Sequence, residues 1–469
     1  MDGGGVNDMS KYEKVIKRIE SAFQAKKYNE AMDLCNYAIS LAPKEMIAYR
    51  AKARLFQIQR NFAEAEKYYD AAERRGELNA DDYVNRGIVK GEQQKYDEAI
   101  ADFTRVLELN PSYLHALIQR GACQWEMRRW DAAYEDFKRA NEISPDDANA
   151  NWILGLLSLQ RNDFKNGWPL YERRWNSERF KSRPLITNKP QWDKNSGFSS
   201  VLVWGEQGVG DQVIYGSILP AVRKNSEKVT ALIDPRLISI LKRSMPDVDF
   251  MSHLDAVPSE LHDSHIPFAS MGRCFIEKLE DIDTYAAKRY LKADPELVEK
   301  YRAKLGFTKD KLTVGISWAS SAIKIGPHKS VRLEQMVPFL KSEYQILNLQ
   351  YGSSKIAVDV FNSENNTNIV TTDVDLVKDF EGLAALCSLC DVIVAVSSST
   401  VHIAGALGCR VLLMDANKLW YWGNKHGDMS AWYPSIKIFP RDNMISPWDN
   451  VIEKVTKELE GIEHDRQHE

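Results

Sequence analysis

No excess charge of either sign marks this chain. Its 62 lysines and arginines stand against 66 aspartates and glutamates, a formal charge of −4. Nothing global therefore draws it to nucleic acid or anionic lipid, and only a local basic patch stays open. Cysteine is sparse as well. Cys35, Cys123, Cys274, Cys387, Cys390 and Cys409 are scattered, which excludes a dense secreted framework and suits a reducing cytoplasm. Cys387 and Cys390 form a lone Cys-x-x-Cys in Leu383-Ala-Ala-Leu-Cys-Ser-Leu-Cys, read as core packing on an apolar helix rather than redox or zinc chemistry. The longest uncharged run, Val392 to Cys409, holds Ser397-Ser-Ser-Thr400 and His402 in its middle, so it reads as strand, turn and buried helix, and no membrane span is expected. Met1-Asp-Gly-Gly-Gly-Val-Asn-Asp lacks a basic start and an apolar core, so a tail or appended residues are expected there instead of a signal peptide.

What is present is periodicity. At 469 residues the chain exceeds one hydrophobic core, and roughly two to four domains are expected. Ala31, Ala65, Ala99 and Ala133 recur every 34 residues, and Gly167 continues the series. Four positions on stand Cys35, Tyr69, Phe103, Phe137 and Tyr171; Gly87, Gly121 and Gly155 keep phase, as do Pro43, Pro111 and Pro145. This is the period of tetratricopeptide repeats. Small residues let paired helices approach, aromatics fill the groove between them, and proline ends the second helix of a repeat. A helical solenoid is expected over residues 10–175, merging into Gly167-Trp-Pro-Leu-Tyr-Glu-Arg-Arg-Trp175.

Residues 176–199, with Pro184, Pro190, Trp192 and Gly197, read as an ordered connector. Beyond it the pattern becomes α/β. Val201 to Trp204, Val229 to Ile233, Thr313 to Ser317, Gln345 to Leu349, Val392 to Val396 and Arg410 to Met414 are short apolar runs rich in β-branched residues, separated by helical segments. They fall into two groups, 200–305 and 310–460, although periodicity alone does not separate two half-domains from one larger sheet.

Val201-Leu-Val-Trp-Gly-Glu-Gln-Gly-Val-Gly-Asp211-Gln-Val runs an apolar strand into a glycine turn that ends in a carboxylate. Such a turn holds the acid at the carboxyl end of a strand, where open α/β sheets bind ligands. Gly208 and Gly210 keep the turn free of side chains, and the competing reading of Asp211 is a helix N-cap. In the second group, Val392-Ile-Val-Ala-Val-Ser-Ser-Ser-Thr-Val-His-Ile-Ala-Gly-Ala-Leu-Gly408 is strand, hydroxyl-rich turn and small-residue helix, a helix start suited to a diphosphate.

These segments, in this order behind the repeats, resemble heptosyltransferases and the glycosyltransferase domains that bacteria fuse to tetratricopeptide repeats. More distantly the chain resembles O-linked N-acetylglucosamine transferases, although no asparagine ladder recurs: Asn85 is followed at the repeat spacing by Gln119 and Ile153. The resemblance implies a GT-B fold, in which 200–305 is an acceptor-side Rossmann-like half and 310–460 a nucleotide-sugar half. It implies Asp211 as the base, with Ser397, Ser398, Ser399, Thr400 and His402 at the donor. The segment Val314 to Arg332 resembles the family's diphosphate loop and offers Ser320, Ser321, Lys324 and Lys329, the choice between the two lysines staying open. Ser397 stands where the family has an aspartate, which leaves the donor sugar open. Trp420, Trp422 and Trp432, in the aromatic tail, either border the nucleotide or fill the core.

Other motifs are weaker. Three Asp-x-Asp triplets (Asp247/Asp249, Asp281/Asp283, Asp373/Asp375) match the two or three expected by chance among 34 aspartates, so no metal is assigned. Gly205-x-x-Gly208-x-Gly210 lacks an acid in the right place for a dinucleotide, since Asp234 runs into Pro235 and Arg236. His253, His262 and His265 lack a metal-ligand spacing and are expected at the surface. The expectation is a cytoplasmic, metal-independent inverting glycosyltransferase that needs no cofactor beyond its nucleotide-diphosphate sugar. Its acceptor is a macromolecule, a protein or a glycan, chosen by the repeats. The rival is a non-catalytic repeat scaffold with a degenerate nucleotide-sugar domain.

Overall fold

The computed structural model describes residues 10–255, 261–285, 289–320, 326–353, 355–416, 419–423 and 428–467. The chain divides into two compact units, Met1–Ala150 and Asn151–Glu469. Among the described residues no helix is long and apolar enough to cross a membrane.

The first unit is a series of helix pairs: Lys11–Gln24 with Tyr28–Leu41, Ile47–Ile58 with Phe62–Glu73, Ala80–Glu92 with Tyr96–Leu109, and Leu114–Glu126 with Trp130–Ile143. The periodic small residues explain the packing. Ala31, Ala65, Ala99 and Ala133 are fully buried. A methyl on Gly87 would stand 2.6 Å from the Phe103 ring, and one on Gly121 would stand 2.9 Å from Phe137. Helices end at Leu41, Leu109 and Ile143, two residues ahead of Pro43, Pro111 and Pro145. The same period governs buried charge: Arg86 grips Asp102 through bonds of 2.9 and 2.7 Å, and Arg120 grips Asp136 through bonds of 2.8 and 2.7 Å.

The turn inside each repeat is left-handed. Lys26, Arg60, Gln94, Arg128 and Asn162 recur every 34 residues with φ between 55° and 63°. Most side chains resist this conformation, and glycine adopts it freely. Gln94→Gly is therefore expected to raise the stability of the repeats by about 0.5–1 kcal/mol, read from the urea midpoint. A lowered midpoint would show that the side chain matters more than the backbone.

Helix Ala148–Gln160, which runs through the boundary, and helix Phe164–Tyr171 of the second unit continue the repeat pattern, with Gly155 set against the Tyr171 backbone. Trp168 then anchors them beside the sheets. It fills the space that a side chain on Gly272 would need, and its indole donates to the Ile276 carbonyl at 2.7 Å. The connector is ordered, with Trp192 buried and its N–H donating to the His265 carbonyl at 2.7 Å.

Among the described residues ten strands follow: β1 (Ser200–Trp204), β2 (Lys228–Ile233), β3 (Asp249–Ser252), β4 (Ser264–Pro267), β5 (Thr313–Ser317), β6 (Gln345–Asn348), β7 (Ile369–Val370), β8 (Val392–Val396), β9 (Val411–Asp415) and β10 (Ile436–Pro440). Two sheets form, ordered β3-β2-β1-β4 and β10-β9-β8-β5-β6-β7, and every pairing is parallel. The order in which successive strands are added reverses once in each sheet, between β1 and β4 and between β5 and β8. These switch points leave a crevice at the carboxyl ends of the strands.

Both faces of the larger sheet are covered. Val392, Val394 and Val396 join one core with Val314, Ile316 and the C-terminal helix Asp449–Gln467, while Ile393 and Ala395 join another. That second core also takes Val201, Val203, Val229 and Ala231 from the smaller sheet, so the two sheets share it. Helices Val209–Gly216 and Ser399–Leu407 pack together within it, and Trp432 donates from one side to the Ile214 carbonyl on the other at 3.0 Å. Trp420, Trp422 and Trp432 are buried in this core. His262 is buried too, contrary to the surface position expected of it; it stands two residues ahead of edge strand β4. Of its two neighbours in the motif, His253 is exposed and His265 half-buried.

Candidate functional site

The carboxyl ends of β1, β5 and β8 converge on one cavity of about 370 Å³. Its wall includes Gly208 and Gly210 after β1, Ser320 and Lys329 after β5, and Ser397, Ser398, Ser399 and His402 after β8. Residues far apart in sequence are brought together here. Thr400 lies just behind the wall, fully buried, and Ser321 and Lys324 fall outside the described residues.

On the β1 side, Gly208 is the N-cap of helix Val209–Gly216, and Asp211 is its third residue. Asp211 is thus not itself the cap, as its competing reading held. Its carboxylate turns back to accept from the Gly208 N–H. Burial pushes the Asp211 carboxyl up to about 6, against the lowering effects of that N–H and of Lys329. Asp211 does not line the cavity, although the two glycines before it do. The glycines differ in purpose. A methyl on Gly208 would meet only Asp211 Oδ2 at 3.5 Å, whereas one on Gly210 would stand 2.7 Å from the His402 ring. Gly210 is needed for contact between the two sides.

On the β8 side, Ser398 caps helix Ser399–Leu407 by position only, since its hydroxyl makes no capping bond. Ser398 Oγ and Thr400 Oγ1 are buried and have no hydrogen-bond partner among the described residues. A buried hydroxyl left unpaired is costly, and a helix start attracts anions. Lys329 adds positive charge. It is buried, and desolvation lowers its pKa while Asp415 and Asp211 oppose that shift. The loop after β5 is fixed by Gln350, whose carboxamide accepts from the Trp318 N–H at 2.8 Å and the Ala319 N–H at 2.7 Å and donates to the Ala319 carbonyl at 3.1 Å.

The wall also includes residues that were not candidate site residues, among them Arg236, Tyr351, Phe380 and Tyr421. Arg236 forms a fork on Asp234 with bonds of 2.8 and 2.7 Å, reaches the Val377 carbonyl at 2.7 Å and lies over the Phe380 ring. Its signal was present in Asp234-Pro-Arg236 at the end of β2. No group of three His, Cys, Asp or Glu side chains among the described residues is placed to hold a metal ion.

A second cavity, of about 710 Å³, opens on the first repeats between Ile16, Phe23, Tyr28, Ile47, Arg54 and Ile58. It is larger and includes the Arg50–Asp82 ion pair, but no serine, threonine or lysine lines it, so the chemistry points to the β1–β5–β8 cavity.

The helical half of this architecture has a family match: the tetratricopeptide repeat family matches residues 80–113. Among curated proteins, Protein FlbA of Caulobacter vibrioides is 24% identical over 324 residues, covering 62% of this chain and 52% of its own length. The chain therefore spans about half the length of that relative. Among solved structures, YrrB, a TPR protein with an unusual peptide-binding site, is 20% identical with a TM-score of 0.32, covering 34% of this chain and 82% of its own. A tetratricopeptide repeat protein from Parabacteroides merdae is likewise 20% identical with a TM-score of 0.32, over 35% of this chain and 71% of its own.

Proposed function

We propose that this protein is a metal-independent, inverting glycosyltransferase that moves a sugar from a nucleotide-diphosphate donor to a macromolecular acceptor. The observation that carries the reading is the convergence of three strand ends, two glycines, a buried lysine and an uncapped helix start on one cavity. The two parallel sheets, with cavity-lining ends from each, suit the GT-B arrangement that the sequence resemblance implies.

The division of labour follows from charge. The helix Ser399–Leu407 start and Lys329 supply positive potential for a diphosphate without a metal ion. Asp211, deprotonated above about pH 6, takes the acceptor hydroxyl proton. The acceptor oxygen then bonds to the anomeric carbon as the bond to the diphosphate breaks, and the leaving oxygen keeps the electron pair. A single displacement of this kind inverts the anomeric centre. The repeats, with their 710 Å³ groove, select the acceptor.

Two observations favour the scaffold reading: Asp211 stands off the cavity wall, and Ser397 occupies the place of the family carboxylate. One screen separates the readings. Thermal shifts with UDP, ADP, GDP and their sugars are measured in EDTA, where a ligand at 100 times its Kd stabilises by about 2.7 kcal/mol. Stabilisation with transfer or hydrolysis of the sugar supports the enzyme, and stabilisation without turnover supports the scaffold. A divalent requirement, or no shift with any of the probes, overturns the metal-free diphosphate site.

A further inference from the structure

We propose that Tyr433 is a positioning residue that holds His402 as the neutral Nε2–H tautomer, so that the imidazole donates a hydrogen bond to a phosphate oxygen in the cavity. The inference deepens the diphosphate reading of the cavity and rests on it.

The argument begins with the packing of His402. Its ring stacks on Trp422 at 4.8 Å between centroids and 20° between planes, with Tyr421 and Tyr433 on other sides. Nδ1 lies 3.3 Å from Tyr433 Oη. Nε2 lies toward Gly210, where a methyl would stand 3.1 Å from it, and both His402 and Gly210 line the cavity. One nitrogen therefore faces Tyr433, and the other lies beside Gly210 at the cavity wall.

Which nitrogen carries the proton follows from Tyr433. This residue is buried, and His402 Nδ1 is the hydrogen-bond partner of its hydroxyl among the described residues. If the phenol donates to Nδ1, its proton and the imidazole lone pair are both satisfied, and Nε2 keeps the ring proton. In the other tautomer Nδ1 donates to the phenol oxygen, and the buried phenol proton is left without an acceptor, the costlier arrangement. The ring also stays neutral, since burial and then the nearby Lys329 charge push its pKa down to about 3. A neutral ring fixed this way presents one N–H beside Lys329 and the helix start, where an anionic oxygen would sit.

The test reads the tautomer directly and does not depend on turnover. Imidazole 15N shifts are recorded on the full chain at pH 7.5, with His402 assigned by the loss of its signals in His402→Gln. The expected result is a protonated Nε2 and an unprotonated Nδ1 in the wild type, and a mixture of tautomers in Tyr433→Phe. UDP or ADP, whichever the thermal screen shows to bind, is expected to bind about tenfold more weakly to Tyr433→Phe, the scale of one hydrogen bond to a charged group. A wild-type ring protonated at Nδ1 would overturn the role of Tyr433 while leaving the diphosphate reading intact. So would a Tyr433→Phe protein with unchanged tautomer and affinity. A protonated Nε2 in a protein that binds neither nucleotide would instead overturn the cavity reading, and with it the phosphate contact.

Discussion

Asp211→Asn is expected to lower sugar transfer by at least about 100-fold, the usual scale for a positioned base, while leaving nucleotide binding intact. The same substitution is expected to stabilise the fold at pH 8. The sign follows from the carboxyl being pushed up to about 6, mainly by burial, from an ordinary 3.8. The folded state then holds this proton more tightly than the unfolded chain does. Its contribution to stability is complete below about pH 4 and is lost as pH rises through about 6. At pH 8 the buried charge costs up to about 3 kcal/mol, which asparagine relieves while it keeps an oxygen for the Gly208 N–H. Thermal melts at pH 5 and pH 8 check this, and the advantage of the mutant should shrink toward the lower value. A mutant that is less stable at pH 8 with unchanged specific activity would mean that Asp211 serves the helix start and nothing more. Loss of activity together with a gain in stability is the signature of a group held in a costly state for chemistry.

The sequence showed the centre of each sheet and missed every edge. β1, β2, β5, β6, β8 and β9 were all read as apolar runs rich in β-branched residues, because strands buried on both faces must be apolar throughout. The four unread strands, β3, β4, β7 and β10, are the four that border the sheets. Their sequences show why. Asp249-Phe-Met-Ser begins and ends on polar residues, Ser264-His-Ile-Pro and Ile436-Lys-Ile-Phe-Pro end in proline, and Ile369–Val370 is two residues long. Edge strands tolerate proline and polarity because one side forms no ladder.

In the repeats, the alanine and glycine period was legible since each small residue meets an aromatic at fixed spacing. The left-handed turn was hidden, because Lys26, Arg60, Gln94 and Arg128 are not residue types that announce it. The site was legible in part for a related reason. Motifs contiguous with a strand, such as Gly208 to Asp211 and Ser397 to His402, could be read. Residues that meet the site only through tertiary packing, such as Gln350, Tyr433 and Arg174, carry no local signal.

Arg174→Met is expected to cost about 3–5 kcal/mol at pH 8, the loss that follows when one partner of a buried ion pair is removed. Arg174 is completely buried. It donates to Glu206 Oε1 at 2.7 Å, Ser270 Oγ at 2.8 Å and Glu172 Oε1 at 2.7 Å, and it lies over the rings of Tyr171 and Trp175. Glu206 is the second residue after β1, and the next, Gln207, donates to the Tyr171 hydroxyl at 2.9 Å. Two residues of the last helical segment therefore hold the two loop positions just before Gly208.

The pair is only partly satisfied, since Glu206 Oε2 is buried without a hydrogen-bond partner among the described residues. Desolvation accordingly pushes the Glu206 carboxyl up to about 7 in spite of the guanidinium. Removing Arg174 leaves this carboxylate in the core with its main counter-charge gone. The penalty should shrink at pH 6, where the folded state can protonate Glu206, and grow as pH rises above 7. A second substitution isolates the cause. Arg174→Met combined with Glu206→Leu removes both charges and should recover most of the loss, because an apolar replacement of a whole buried pair is often neutral. If the double variant is instead less stable than Arg174→Met at both pH values, the stability lies in the packing of the guanidinium on Tyr171 and Trp175, and the ion pair is not what anchors the loop ahead of Asp211.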